Sequence, residues 1–446
     1  MLDVGTMCRW QRDQGDTWHR TRMGSSGTCP PRHPGRESPD PPSQAAQRGV
    51  GICEVMGIET HKSDISGQSR SPLKQARDLK LLMLTVFCVS FGFGAYFATF
   101  NNFAVEKLHL LPVQLGRLEA IRETPGFLMF AIAALTMRVA EPVLACVAIS
   151  LLALGLGAYY TVDNTLELLV YSLVWSVGLH AWMPIQPSMA LNLSDEHTKG
   201  RTLGLLGASG ALGTILGMTM VWVLAARIGY HNIFLLAGGA AFVGALAVSQ
   251  ISKDIGHAEK PRLVIKHQYS LYYLLVFLEG CRKQVFITFA IFALVRNYGT
   301  PARVVATLMI INNLTNLLLA PRVGRLIDRV GERPILIFCY TALIPVFIGY
   351  ATIKSPSVLY VLYCLDNFFF LGSIGLNTYL HKIAEPRDVM PTLTMGVSVN
   401  HAAAVVVPLI GGTLWQTLGY PATFFGGAVV VATSVLAVLR MRIPEE

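Results

Sequence analysis

Charge is scarce in this sequence. Only 14% of its 446 residues are Asp, Glu, Lys or Arg, whereas 52% are hydrophobic. That balance leaves a soluble two-domain protein without enough polar surface to stay dispersed, and it points to a membrane-embedded chain. Catalytic signatures are missing too. There is no Walker loop, no Gly-x-Ser-x-Gly and no His-Glu-x-x-His, so nucleotide-driven work and membrane hydrolysis lack their usual residues and no enzyme is expected. The eight cysteines include no Cys-x-x-Cys pair and follow no regular spacing. Five of them, Cys88, Cys146, Cys281, Cys339 and Cys364, fall in apolar runs, where a thiol acts mostly as a small hydrophobe. No disulfide framework, metal site or cofactor is expected. A net charge of +9 would suit nucleic acid if it lay on one stripe. Here the basic residues sit between apolar runs, which suits an anionic membrane face instead, and nucleic acid is not an expected partner.

What the chain has in quantity is long apolar runs. They lie near 81–104, 113–137, 142–161, 166–191, 201–227, 231–250, 270–295, 302–322, 334–353, 357–380, 390–415 and 419–440. Each is close to or above the roughly 20 residues a helix needs to cross the hydrocarbon core, so the spacing predicts twelve transmembrane helices in an all-α membrane protein. Residues 1–76 differ in kind, with Pro-Pro pairs at 30–31 and 41–42 and no apolar periodicity. They read as a disordered N-terminal tail, or as the product of an upstream start codon given Met23, Met56 and Met83. No secretory signal is evident. In a twelve-span arrangement Lys74, Arg77, Lys199, Arg201, Arg322, Arg325, Arg329, Arg333, Lys382 and Arg440 share one side, against mainly Lys107, Arg227, Arg296, Arg303 and Lys354 on the other. The richer side is expected to be cytoplasmic, with both termini inside.

The chain also repeats at an offset of 190 residues. Thr202-Leu203 matches Thr392-Leu393, Gly229-Tyr230 matches Gly419-Tyr420, and Phe234 matches Phe424. Two pseudo-symmetric six-helix bundles follow, 77–250 and 270–446, joined by a polar cytoplasmic connector at 251–269. Such repeats place a substrate cavity between the halves near the midplane.

Between the eighth and ninth runs lies Gly324-Arg-Leu-Ile-Asp328-Arg329-Val-Gly331-Glu-Arg333-Pro334. Gly, three residues, Asp-Arg, one residue, Gly, one residue and Arg resembles the loop signature of the major facilitator superfamily. The resemblance, carried by topology, repeat and this motif, covers about residues 81–440. It implies the twelve-helix fold of that family and a bacterial secondary carrier, a multi-pass protein of the inner membrane. It further implies alternating access, a small-molecule substrate, and a proton or other coupling ion. Efflux of small organic compounds leads, with an organic anion or a metal complex next. A non-transporting sensor or scaffold is the reading from another class. Carried over from the family, Asp328, Arg329 and Arg333 would be gate residues, with Gly324 and Gly331 allowing close approach and a tight turn. The first-half counterpart, near Ala134 to Pro142, keeps little beyond Arg138 and Glu141.

Charges inside spans are costly and face the interior or a cavity. The second run contains Glu119, Arg122 and Glu123, with spacings that let Glu119 meet the other two on one helical face as a self-neutralising cluster. The seventh run repeats the device with Glu279, Arg282 and Lys283. Lys283 leaves an excess positive charge suited to an anion or to a carboxylate across the cavity, with Asp366 in the tenth run as candidate partner. Two histidines within spans, His180 and His401, are of the residue type that titrates in the range proton coupling needs, and His401 follows Asn400. Asn312, Asn313 and Asn316 form an amide patch open to interhelical bonding or substrate recognition. Glycines 204, 207, 210, 213 and 217 permit close packing of the fifth run, and Pro408 ahead of Gly411-Gly412 predicts a kink in the eleventh.

Overall fold

The computed structural model describes residues 71–128, 139–195, 197–253 and 266–442. The expectations for residues 1–70, for most of the connector and for Arg138 lie outside these residues. Helix α1 (Pro72–Glu106) begins where Ser71 caps it, its hydroxyl accepting from the Lys74 amide at 3.3 Å, with Pro72 in the first turn. Residues 72–76, assigned above to the tail, are therefore helical, because a polar cap and proline start a helix before its apolar stripe begins.

The remaining helices are α2 (Pro112–Phe127), α3 (Glu141–Ala158), α4 (Thr165–Asn192), α5 (Lys199–Ser249), α6 (Ser270–Tyr298), α7 (Ala302–Val330), α8 (Glu332–Thr352), α9 (Pro356–Phe370), α10 (Ile374–Ile383), α11 (Pro386–Leu418) and α12 (Tyr420–Val438). Helix α5 has 51 residues, which at about 1.5 Å per residue would be more than twice the membrane thickness. It breaks at Gly229, whose φ of +79° only glycine adopts without strain. A single 3-10 turn, Leu371–Ser373, joins α9 to α10 into one rod. Counted this way, twelve rods are present among the described residues, each matching one apolar run.

Among the described residues nine helical segments are long and apolar enough to cross a membrane by length and composition. Helices α2 and α6 are not among them. These are the two that carry Glu119, Arg122 and Glu123, and Glu279, Arg282 and Lys283. Among the described residues most of the charge at the centre lies on one helix in each half, with Asp366 of α9 beside the second.

The repeat appears in three dimensions as matched packing. Tyr96, Tyr159 and Phe234 form an aromatic triad with ring centroids 4.9–6.1 Å apart. Phe286, Tyr350 and Phe424 form a second, at 4.9–6.2 Å. Each member of the second lies 190 or 191 residues beyond its counterpart. Gly229 and Gly419 share one conformation as well, with φ of +79° and +87°. Carboxylates repeat too. Glu141 opens α3 and accepts from Ser188 and Asn192 of α4; Glu332 opens α8 and pairs with Lys382 of α10 at 3.0 Å. An acid at a helix N-terminus also meets the positive end of the helix dipole, so these two buried carboxylates are doubly accommodated.

The halves meet unequally at their two ends. At the end carrying Lys107, Arg296 and Lys354, Asn102 donates to the Thr300 carbonyl at 2.8 Å, and Arg296 donates to the Leu110 carbonyl at 2.7 Å. There the Arg303 guanidinium covers the Trp222 ring at 3.7 Å. Helices α2 and α11 approach backbone to backbone: a Cβ on Gly116 would lie 2.2 Å from the Pro408 carbonyl oxygen, and one on Gly412 2.6 Å from that of Pro112. Pro408 and its neighbouring glycines therefore serve a cross-half contact, and α11 continues through the proline.

At the opposite, arginine-rich end, several contacts tie each half to itself. Arg77 reaches the Gln250 carbonyl, Lys266 and Tyr269 reach Asp388, and Arg333 reaches the Leu439 carbonyl. The bond to Asp388 holds the Lys266 ammonium above the usual lysine range. Gly200, Gly204 and Gly207 have open space where a Cβ would go, whereas Gly213 and Gly217 pack against the Phe87 and Phe91 carbonyls of α1. The predicted glycine contact is thus confined to one end of the helix.

Candidate functional site

Helices α2 and α6 present matching six-residue patterns to the centre of the protein, differing in the last residue: Leu118-Glu119-x-x-Arg122-Glu123 and Leu278-Glu279-x-x-Arg282-Lys283. A three-residue separation puts Glu and Arg on one helical face. Arg122 pairs with Glu119, donates to the Tyr96 hydroxyl at 3.0 Å and lies 5.2 Å from the Trp175 ring centroid. Arg282 pairs with Glu279 at 2.7 Å and with Asp366 at 2.8 Å, and lies 5.2 Å from the Phe370 ring. Its side chain is 1% exposed. A buried guanidinium needs this many partners, since desolvating it costs several kcal/mol unless they surround it. Asp366 therefore serves Arg282, and the expected pairing of Asp366 with Lys283 is not what the structure shows.

The last residue of each pattern turns away from its own arginine. Glu123 hydrogen-bonds with His401 Nδ1 at 3.1 Å and lies 3.8 Å from His180 Nε2. The reading of Glu123 as part of a self-neutralising face with Glu119 is corrected by this contact. Lys283 donates to Asn400 Oδ1 at 2.8 Å. Adjacent residues of α11, Asn400 and His401, thus receive the odd charge from each half. His180 is oriented by Ser176, through its hydroxyl at 3.0 Å and its carbonyl at 2.9 Å from Nδ1. The two imidazoles meet edge to face at 5.0 Å. Gly126 makes this approach possible: a Cβ there would lie 2.5 Å from His180 Nε2 and 2.6 Å from His401 Nδ1.

Three cations, Arg122, Arg282 and Lys283, stand against four carboxylates, Glu119, Glu123, Glu279 and Asp366. With both histidines neutral and all four carboxylates ionised, the formal charge of the centre is one negative, not the positive excess that Lys283 alone suggested. Beside it is a cavity of about 130 Å³ lined by Arg282, Lys283, Asn312, Tyr363, Asp366 and Asn367 among others. In the amide patch Asn316 exchanges bonds with Asn367 at 3.0 and 3.4 Å, and Asn313 bonds the Met309 carbonyl. Interhelical bonding occupies much of that patch. Tyr96, Trp175 and Ser176 complete the centre without having been picked out from sequence, because aromatic and hydroxyl residues are common in any apolar run.

The loop motif lies apart from this centre. Gly331 has a φ of +92° and makes the tight turn expected between α7 and α8. Gly324 has open space around its Cβ position, so no close approach occurs there. Asp328 and Arg329 are exposed and have neither a hydrogen bond nor an ion pair among the described residues. Among the described residues neither Arg325 nor Arg329 pairs with Asp328 in this conformation.

The family model of the Major Facilitator Superfamily matches residues 272–446. The multi-drug resistance efflux pump PmrA homolog of Lactococcus lactis is 21% identical over 285 residues, 59% of this chain and 70% of that protein. The multidrug resistance protein MdtG of Enterobacter lignolyticus is 23% identical over 277 residues, 57% of this chain and 64% of that protein. Among solved structures the nucleoside transporter NupG has a TM-score of 0.66 at 14% identity, covering 83% of this chain and all of the other. The D-xylose-proton symporter has a TM-score of 0.64 at 14% identity, covering 82% and 98%. These structural likenesses establish the fold, and the family match falls on the half that contains the loop motif. The chain thus shares the fold of solved transporters and, over residues 272–446, is similar in sequence to the Major Facilitator Superfamily.

Proposed function

We propose that this carrier exports small organic compounds in exchange for protons. In this reading the proton binds at Glu123, His180 and His401, and the solute enters beside Lys283. One observation carries it: the titratable group that joins the two halves is also the one that leaves the centre with an excess carboxylate. A proton neutralises that charge, and so does an organic cation. Competition between them for one site is what an exchange cycle requires, because each must leave before the other can bind. The Glu123–His401 bond crosses the interface that alternating access must open, so protonation and opening act on the same contact. The relatives named for multidrug efflux favour export as the direction.

In the same reading the arginine-rich end faces the cytoplasm of a bacterial cell, with both termini inside and the open side inward. The halves 77–250 and 270–446 rock about the connector, and Asp328, Arg329 and Arg333 engage when the cytoplasmic ends close. An organic anion is the second reading, favoured by Arg282 and Lys283 in the wall of the cavity. Purified protein in liposomes, given an imposed pH gradient and a panel of organic cations and anions, tests both. Gradient-driven movement of cations that disappears in Glu123→Gln is the expected result. Anion movement that survives this substitution would replace the first reading with the second. Movement of neither, with a protein partner co-purifying, would favour a sensor or scaffold.

A further inference from the structure

The side chains of Glu123, His180 and His401 offer one ligand atom each, all within 4.8 Å of one another. We propose that they form a binding site for a single divalent transition-metal ion of the zinc or cobalt class, and that the bound ion holds the two halves in the conformation seen here. Sequence gave no sign of such a site. The three residues are 57 and 221 positions apart along the chain, on α2, α4 and α11, and no pair among them has a ligand spacing.

The donor set fits that class of ion. Two imidazoles and one carboxylate are an established three-ligand set for zinc, leaving a fourth position open. With bonds of about 2.0–2.1 Å and tetrahedral angles, ligand atoms lie about 3.3 Å apart. Glu123 Oε2 is 3.1 Å from His401 Nδ1 and 3.8 Å from His180 Nε2, so the two measured edges bracket that value. Small shifts of the side chains complete the triangle.

Two further features support a built site. His180 Nδ1 is engaged by the Ser176 carbonyl and hydroxyl, which leaves Nε2 directed at Glu123. Metal-ligating histidines are oriented in this way by a partner on the other ring nitrogen. The space over Gly126 is the second feature. A Cβ there would meet His180 Nε2 and His401 Nδ1 at 2.5 and 2.6 Å, so both donor nitrogens converge on ground that only a glycine leaves clear. Both nitrogens face the Glu123 carboxylate as well, so the three donor atoms surround one point.

The site has a conformational consequence. Glu123 and His180 belong to the first half and His401 to the second, so an ion with all three ligands links the halves. When the halves part along α2 and α11, it must lose a ligand.

The test uses tag-free full-length protein in detergent, titrated with Co²⁺ and followed by its ligand-field absorption, with Zn²⁺ measured by displacement. One Co²⁺ per chain is expected, displaced by Zn²⁺, with a rise in melting temperature because only the assembled site binds the ion. Ser176→Ala removes an orienting partner and is expected to weaken binding by about 10–100-fold. Glu123→Gln and His401→Gln keep side-chain volume and should abolish both the absorption and the thermal shift, while melting without metal stays cooperative. No saturable Co²⁺ binding by the wild type would overturn the proposal. Binding that persists in Glu123→Gln and His401→Gln would overturn it too, by assigning the ion elsewhere. The proposal does not rest on proton exchange, and its readout is metal binding rather than transport, so either can fail alone.

Discussion

Gly126→Ala would separate the interface histidines without removing a titratable group. The added methyl starts 2.6 Å from His401 Nδ1, and ordinary contact begins at 3.4 Å, so about 0.8 Å of movement by His401 is required. His180 is pinned through Nδ1 by Ser176, so His401 yields more easily. Adding that movement to the 3.1 Å contact between His401 and Glu123 brings it to about 4 Å, beyond hydrogen-bonding range. Overpacking of this kind costs about 1–3 kcal/mol, and losing a hydrogen bond to a charged partner costs about 1.5–3 kcal/mol. The second of these falls on the coupled step, which corresponds to a fall of about tenfold to a hundredfold in proton-driven transport. The assay is solute movement in liposomes with and without an imposed pH gradient, beside thermal melting in detergent. Loss of gradient dependence with folding retained is the expected outcome. If Gly126→Ala lowers melting as calculated yet keeps the full response to the gradient, the histidine–glutamate contact does not couple protons, and the reasoning fails.

Three other outcomes follow from the geometry. Arg282→Met leaves Glu279 and Asp366 buried without their cation, and breaking a buried pair costs about 3–5 kcal/mol; little folded protein should be recovered in gel filtration, whereas Asp366→Asn, which leaves the Glu279 partner in place, should remain folded. Recovery of Arg282→Met at wild-type levels would show that water already reaches this cluster. Asp328→Asn, at an exposed site without a partner, should change stability by less than about 0.5 kcal/mol. It should nevertheless slow transport, and an unchanged rate would remove Asp328 from the gate. For orientation, a cysteine replacing Lys354 should react with an impermeant thiol reagent added to intact cells, and one replacing Arg325 should react only after the membrane is opened; the reverse pattern would invert the topology.

The legible part of this protein was its periodic and covalent content. Twelve apolar runs gave twelve rods because a span must bury its backbone polar groups in its own hydrogen bonds, a constraint that acts on each segment alone. The turn at Gly331 was legible for a similar reason, since a tight turn between two apolar helices leaves a local mark. The partners of the central charges were not. Sequence spacing correctly joined Glu119 to Arg122 and Glu279 to Arg282, three residues apart on one helix. It had no way to send Glu123 to a histidine 278 residues away, or Asp366 to Arg282 instead of Lys283. Those pairings depend on which faces of α2, α6, α9 and α11 turn towards one another.

The corrected pairings also change what the centre recognises. A lone Lys283 in an apolar helix argues for an anion. Placed among its neighbours, it lies opposite Glu123 across the Asn400-His401 pair, and the balance of the whole cluster becomes negative. Each half satisfies its arginine internally and offers one unmatched charge to α11, negative from the first half and positive from the second. Opposite charges held apart by a polar dipeptide can approach or separate as the halves move, and a bound cation at Glu123 weakens their attraction. In the exchange cycle proposed above, occupancy at Glu123 and the position of the second half would depend on each other, which is the coupling a secondary carrier needs.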